Sequence, residues 1–125
     1  MNDIKWCQCG QRASEIHHIV FRSKAPSLIK CKLNLIPLCQ KCHYSIHHGT
    51  GHKLDIILKL EFQNKLEILF DKRELTREEI NEVLQISEKA LQKLLKALTL
   101  HKDKYAREDV IRACMGGKLI EEVYK

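Results

Sequence analysis

Cysteines at close spacing supply one candidate metal site in the first 50 residues. They form two pairs, Cys7/Cys9 and Cys39/Cys42. Four thiolates are the set that a closed tetrahedral structural zinc requires, and such an ion can hold together a segment with few hydrophobic residues. The first pair is spaced Cys-x-Cys rather than the commoner Cys-x-x-Cys, so Cys31 is an alternative ligand. Otherwise Cys31 and Cys114 are interpreted as free or buried thiols.

Histidines in the same stretch supply a second candidate site. His43 and His47 lie four residues apart on a predicted helix, so their rings share one face. His17 on a preceding strand can supply a third nitrogen, and three imidazoles with open coordination positions are typical of a catalytic metal. On a regular strand His18 would point to the opposite face. A local bend could bring its ring into the same cleft, where a neutral histidine can act as a general base.

Each of these residues, considered alone, has a plainer explanation. Unpaired cysteines are common in protein cores, and a single histidine is more often a surface or core residue than a catalyst. The close pairing of the cysteines and the number of histidines in one stretch favour the metal interpretation for both sets.

The surrounding pattern predicts the elements that must position these side chains. Residues 15–21 are β-prone and partly alternating, and residues 33–38 form a second short apolar run. Between them lies a basic loop, residues 22–31, that contains a proline. Residues 40–48 are predicted to form a short helix that ends at Gly49.

From residue 53 onward the pattern changes to amphipathic helices. Apolar residues recur at steps of three and four over residues 54–70, and a last helix is predicted at about 107–115. Thr76 and Glu79 form a capping-box pattern, and Ser87 is a second helix cap. The spacing of residues 76–98 also fits a helix-turn-helix. A packing or dimerisation unit explains the leucines equally well, and this plainer interpretation is favoured.

The charge distribution favours an anionic partner for the Cys/His half of the chain. The net charge is +6, and residues 1–52 carry seven Lys/Arg against two Asp/Glu, a net of +5. A basic surface of this kind attracts nucleic acid. No apolar run is long enough for a membrane span, and no export signal is recognised, so we expect an intracellular protein without membrane contact.

Residues 7–48 resemble the HNH endonucleases, also called ββα-metal nucleases, in particular small phage-type members with a zinc knuckle. The resemblance rests on His17-His18, Asn34, His43 and His47. It implies a two-stranded antiparallel ribbon and a helix that cradle one divalent ion. His17, His43 and His47 would be the ligands of that ion, and His18 would be the base that activates water. Asn34 would orient the base and its loop, or touch the metal.

The ligand set bears on the choice of metal. His17 stands where many members of this family have Asp, as in the bacterial toxin nucleases of the group. An all-imidazole site favours Zn²⁺, Ni²⁺ or Mn²⁺ over Mg²⁺, although phosphate oxygens of the substrate would complete a Mg²⁺ shell.

The resemblance implies hydrolysis of DNA phosphodiester bonds, leaving a 5′ phosphate. Four basic residues between the two halves of the motif are the candidates for phosphate contact: Arg22, Lys24, Lys30 and Lys32.

We therefore predict an α+β protein with a zinc-stapled HNH nuclease domain at residues 1–52 and an all-helical region at residues 53–125. The expected partners are double-stranded or branched DNA, together with a second copy of the chain or a phage packaging or recombination protein. Two alternatives remain open. One is a non-enzymatic zinc-binding DNA adaptor, and the other is a nuclease subunit that is active only with its partner.

Overall fold

The computed structural model describes residues 4–120, a mixture of helices and short strands. The outermost parts of the two predicted domains, residues 1–3 and 121–125, lie outside the described residues. The elements in chain order are β1 (Glu15–His18), β2 (Leu35–Leu38), α1 (Gln40–His47), α2 (His52–Leu69), β3 (Glu74–Leu75), α3 (Arg77–Leu84), α4 (Glu88–Leu95), β4 (Leu100–His101), β5 (Lys104–Ala106) and α5 (Arg107–Cys114).

A two-stranded ribbon carries the first histidines. β1 and β2 pair in antiparallel fashion, with His17 opposite Ile36. The sequence pattern predicts a strand that continues to residue 21, but β1 ends at His18. The reason is that the side chain of Asn34 bonds to both the N–H and the C=O of Val20, replacing the ladder bonds of a continuing strand.

α1 follows the ribbon and has well-defined ends. Its N-cap is Cys39, whose Sγ accepts a hydrogen bond from the backbone N–H of Cys42. The helix ends at His47, followed by Gly49 with a left-handed φ of 86°. A residue without a Cβ adopts that conformation readily, so the predicted stop at Gly49 is confirmed.

The helix caps of the C-terminal region are also as predicted. Thr76 and Glu79 exchange both bonds of a capping box, at 3.1 and 2.9 Å. The Oγ of Ser87 accepts a hydrogen bond from the N–H of Ala90 at the start of α4.

The turn between α3 and α4 is fixed by its own hydrogen bonds. Gln85 takes a left-handed φ of 50°, and the side chain of Asn81 bonds to both the N–H and the C=O of Ile86. α3 and α4 therefore form a locked helix-turn-helix.

The prediction of an all-helical C-terminal region is wrong. β3, β5 and β4 form a three-stranded antiparallel sheet in that order. The β4–β5 hairpin turns at Lys102 and Asp103, which both have left-handed φ angles, of 49° and 71°. Strands of two or three residues are too short to produce an alternating pattern, and the turn lacks the glycine that usually marks such a hairpin.

The two predicted domains share one hydrophobic core. Buried side chains from residues 7–46 and from residues 58–120 belong to a single cluster. A 3-10 turn at Pro26–Leu28 packs on α4, and the Sγ of Cys31 donates to the carbonyl of Leu84 at 3.4 Å. The loop after His18 is thus held against the helix-turn-helix. None of the helices in residues 4–120 is long and apolar enough to cross a membrane.

Candidate functional site

The four predicted zinc ligands lie together at the start of α1. The Sγ atoms of Cys7, Cys9, Cys39 and Cys42 all lie within 4.8 Å of one another. Cys7 and Cys9 belong to a tight turn in which the N–H of Gly10 donates to the carbonyl of Cys7.

Cys31 lies outside this cluster, buried against α3, and does not replace either cysteine of the first pair. Cys114 is buried as well, and burial raises the pKa of both thiols.

The cysteine cluster has the chemistry of a cation site. Burial opposes ionisation of Cys7, but hydrogen bonds from the backbone of Cys9 and Cys39 outweigh it and lower its pKa to about 7. For Cys42, burial and the neighbouring Cys39 side chain raise the pKa to about 12. Four thiols this close together ionise completely only beside a compensating cation, and four sulfur donors are the set that structural zinc prefers. The residues therefore fit a zinc ion.

The three predicted catalytic ligands also converge. His17 comes from β1, and His43 and His47 come from successive turns of α1. Their ring centroids lie 5.0 to 5.5 Å apart, and their nearest nitrogens lie within 4.8 Å of one another. The three rings therefore face one point.

His17 has an unsatisfied environment that a metal would complete. The residue is 1% exposed, and neither ring nitrogen has a hydrogen-bond partner among the described residues. Burying such a polar ring without partners is costly. Burial, with contributions from His43 and His47, also lowers the pKa of His17 to about 4. His17 is therefore neutral near pH 7, which is the form that donates a lone pair to a metal.

Glu15 is a site residue that the sequence analysis missed. Its Oε1 lies 2.7 Å from Nδ1 of His43. Since a carboxylate accepts, Nδ1 carries the proton and Nε2 keeps its lone pair, the arrangement found where a carboxylate orients a metal-binding histidine. Glu15 lies two residues before His17, on the same face of β1, and this spacing could have identified it.

His18 shares a cavity with the three ligands. The cavity, of about 240 Å³, is lined by all four histidines together with Phe21 and Arg22. Nε2 of His18 lies 3.0 Å from the carbonyl oxygen of Ile29. A backbone carbonyl only accepts, so Nε2 carries the proton and Nδ1 is left with its lone pair. The neighbours His17 and His18 therefore line one cavity although they are adjacent in sequence.

Asn34 holds the loop after His18 and does not line the histidine cavity. It is fully buried, and its amide bonds to the backbone of Val20 at 2.7 and 3.1 Å and to the carbonyl of Leu28 at 3.3 Å. Both the amino group and the carbonyl oxygen of its side-chain amide are therefore hydrogen-bonded to the backbone. These contacts agree with the predicted role in holding the loop after His18 and give no support to the alternative contact with a metal.

The four basic residues predicted to contact phosphate are separated in the structure. All four are exposed. Arg22 lines the histidine cavity, whereas Lys24 lines a neighbouring one. Lys30 and Lys32 line neither of these cavities. Only Arg22 is therefore brought to the histidine cluster itself.

Comparison with known families finds a similarity outside the Cys/His stretch. Residues 55–108 match the family model described as "M protein trans-acting positive regulator (MGA) HTH domain". The match covers less than half of the chain and includes most of α2, the helix-turn-helix and the β4–β5 hairpin. No curated protein and no solved structure matches the chain. The match supports the helix-turn-helix interpretation over plain helix packing, and a helix-turn-helix is a DNA-binding element.

Proposed function

We propose that the chain is a metal-dependent endonuclease that hydrolyses phosphodiester bonds in DNA. The observation that carries this proposal is the histidine cavity. In it a buried His17, which has no hydrogen-bond partner within residues 4–120, faces His43 and His47, beside His18. The antiparallel ribbon followed by α1 is the arrangement that the HNH resemblance implies, and it supports the same conclusion.

His17, His43 and His47 would hold the divalent ion. When bound, the ion supplies Lewis-acid stabilisation of the negative charge that builds up on the phosphate. The chain prepares its own ligands: Glu15 fixes the tautomer and orientation of His43, and burial keeps His17 in its neutral form.

His18 would act as the general base. Its Nδ1 would take a proton from a water molecule as the water oxygen forms a bond to phosphorus. The bond from phosphorus to the 3′ oxygen would then break, and the 3′ oxygen would leave with the bonding electrons and take up a proton from solvent water. The hydrogen bond from Nε2 to the carbonyl of Ile29 holds the ring and becomes stronger when the ring is protonated. Arg22 lies in the same cavity and would offset the charge of the phosphate.

The C-terminal region would bind duplex DNA and hold it in position. In a helix-turn-helix the second helix enters the major groove, and here that helix is α4. The exposed polar side chains of α4 and of its C-cap fall on one stripe: Glu88, Lys89, Gln92, Lys93 and the C-cap Lys96. The adjoining hairpin adds Lys102 at its tip. This role is supported by the family match over residues 55–108.

The second candidate is a DNA-binding protein that does not cleave. The match to a regulator's helix-turn-helix family favours it, with both metal clusters serving only structure. His18 argues against it, since a purely structural metal needs no uncoordinated histidine with a free nitrogen in the same cavity.

Nicking of supercoiled plasmid separates the two candidates. With Mg²⁺, Mn²⁺, Ni²⁺ or Zn²⁺ added, the proposed nuclease should convert supercoiled plasmid to relaxed circles, at a rate that rises with the concentration of the active metal. Gel electrophoresis over time measures this conversion. No nicking with any of the four ions, while the protein still shifts duplex DNA in a gel, would favour the non-cleaving protein.

Replacing Glu15 with glutamine should weaken binding of the catalytic metal. The variant keeps an acceptor beside Nδ1 of His43 but loses the charge, and loss of such an outer partner typically costs about 10- to 100-fold in metal affinity or activity. Titration with Mn²⁺, followed by electron paramagnetic resonance of the free ion, measures the affinity directly. Glu61→Gln, an exposed change on α2, is the matched control and should bind as the parent does. Equal affinities in all three proteins would show that Glu15 does not orient a ligand.

A further inference from the structure

A second cavity adjoins the histidine cavity. It has a volume of about 300 Å³ and is lined by three lysines, Lys24, Lys59 and Lys118, with Phe21 and Gly116 among the other lining residues. We call it the lysine pocket. Its lysines come from the loop after His18, from α2 and from the segment after α5, so only folding brings them together.

Phe21 is the wall between the two cavities. It lines both, and its ring centroid lies 5.1 Å from that of His47 and 5.9 Å from that of His17. On the other side, Nζ of Lys59 lies 4.4 Å from the centroid of the same ring. The lysine pocket is therefore one aromatic ring away from the candidate metal ligands.

Within residues 4–120, an acidic partner offsets the charge of the lysine pocket only at Lys59. Among the described residues that line it there is no Asp or Glu. Lys59 is paired with Asp55 at 2.9 Å, whereas Lys24 and Lys118 form no ion pair with any of residues 4–120. Like charges around one concavity repel each other, and an anion in the concavity relieves that repulsion.

The backbone is shaped to bring these lysines together. Gly116 has a φ of 83°, and a Cβ at this position would lie 2.9 Å from Cβ of Lys24 and 3.2 Å from Cγ1 of Val20. Glycine therefore allows the end of α5 to lie directly on the loop that carries Lys24. This close approach places Lys118 beside the same cavity.

We propose that the lysine pocket binds a backbone phosphate of the DNA strand, next to the phosphate that occupies the histidine cavity. The proposal rests on the proposed function, since it takes the histidine cavity to receive a phosphodiester. A nucleic-acid strand carries phosphates at a regular short spacing, so a strand with one phosphate at the histidines must place another close by. A concave, cationic neighbour separated by a single ring is suited to that second phosphate.

The test compares DNA binding by two double variants, each of which loses two positive charges relative to the parent. All are made in the full chain with His18→Ala, so that DNA is not cleaved during the measurement. The pocket variant is Lys24→Gln/Lys118→Gln, and the control is Lys53→Gln/Lys65→Gln, which removes two exposed lysines of α2. Affinity for a duplex oligonucleotide is measured by fluorescence anisotropy at several salt concentrations.

The pocket variant should lose salt dependence that the control keeps. Each phosphate contact contributes close to one unit to the slope of log affinity against log salt, and the pocket is proposed to hold one phosphate, so the slope should fall by about one in the pocket variant. Equal slopes and affinities in the pocket variant and the control would overturn the proposal. Thermal unfolding and zinc content should be unchanged, since both substituted lysines are exposed.

A local measurement separates this proposal from the proposed function. Inorganic phosphate titrated into the wild-type chain should shift the amide resonance of Gly116, and the pocket variant should lose that shift. Absence of the shift in the wild-type chain would count against the pocket. Neither this readout nor the salt slope requires cleavage, so a chain that binds phosphate here without nicking plasmid would refute only the nuclease.

Discussion

Replacing His18 with alanine should reduce plasmid nicking by about 10²- to 10⁴-fold, the range that a positioned general base contributes. The side chain is half-buried, and its hydrogen bond to the carbonyl of Ile29 leaves Nδ1 free to accept a proton in the histidine cavity. The loss should appear in kcat rather than in DNA affinity, because the imidazole acts on the attacking water. Nicking rates at saturating metal, with affinity measured separately, test both parts.

The matched control for this variant is His48→Ala. His48 is exposed and stacks on Tyr44 with ring centroids 3.8 Å apart, and it does not line the histidine cavity. Removing it deletes an imidazole near the site without removing the proposed base, so nicking should persist. Nicking that survives in His18→Ala, with zinc content and melting temperature unchanged, would assign the activity to another group or to a contaminant.

Replacing Cys39 and Cys42 together with serine should abolish zinc binding and destabilise the ribbon and α1. Both residues belong to the cluster of four thiols, and Cys39 is also the N-cap of α1. Metal binding to such a site contributes directly to folding, with apparent values of roughly 10–16 kcal/mol in small zinc-finger peptides. Inductively coupled plasma mass spectrometry should find one zinc fewer per chain in the variant than in the parent, and the melting temperature should fall.

Cys114→Ala separates loss of zinc from loss of a buried thiol. Cys114 is fully buried in the common core and lies outside the cysteine cluster. Removing its sulfur leaves a small cavity, which costs some stability, but zinc should be retained. A double serine variant that holds as much zinc per chain as the parent would contradict the predicted ligand set.

The two clusters of candidate metal ligands were predictable because their geometry is largely local. Cys39 and Cys42 bracket the first turn of α1, and His43 and His47 lie one turn apart on its face. Helix geometry alone brings each of these pairs together. The helix caps at Thr76 and Ser87 were also predictable, because a cap is a contact between residues three positions apart.

The three-stranded sheet was not predictable in this way. β3 pairs with β5, about 30 residues further along the chain, and none of its strands is longer than three residues. Such strands carry too few residues to show a period, and their pairing depends on contacts between segments that are far apart in the chain.

The sequence by itself determined which side chains are candidates for metal binding: two cysteine pairs and a set of histidines whose types and spacings are those of metal ligands. Only the tertiary structure decided how they are oriented. It places Glu15 in hydrogen-bond contact with His43, and it bonds the side-chain amide of Asn34 to the backbone. It also brings Lys24, Lys59 and Lys118 together around one cavity. These contacts join residues between 14 and 94 positions apart. Their geometry depends on how distant segments pack, which local propensity does not specify.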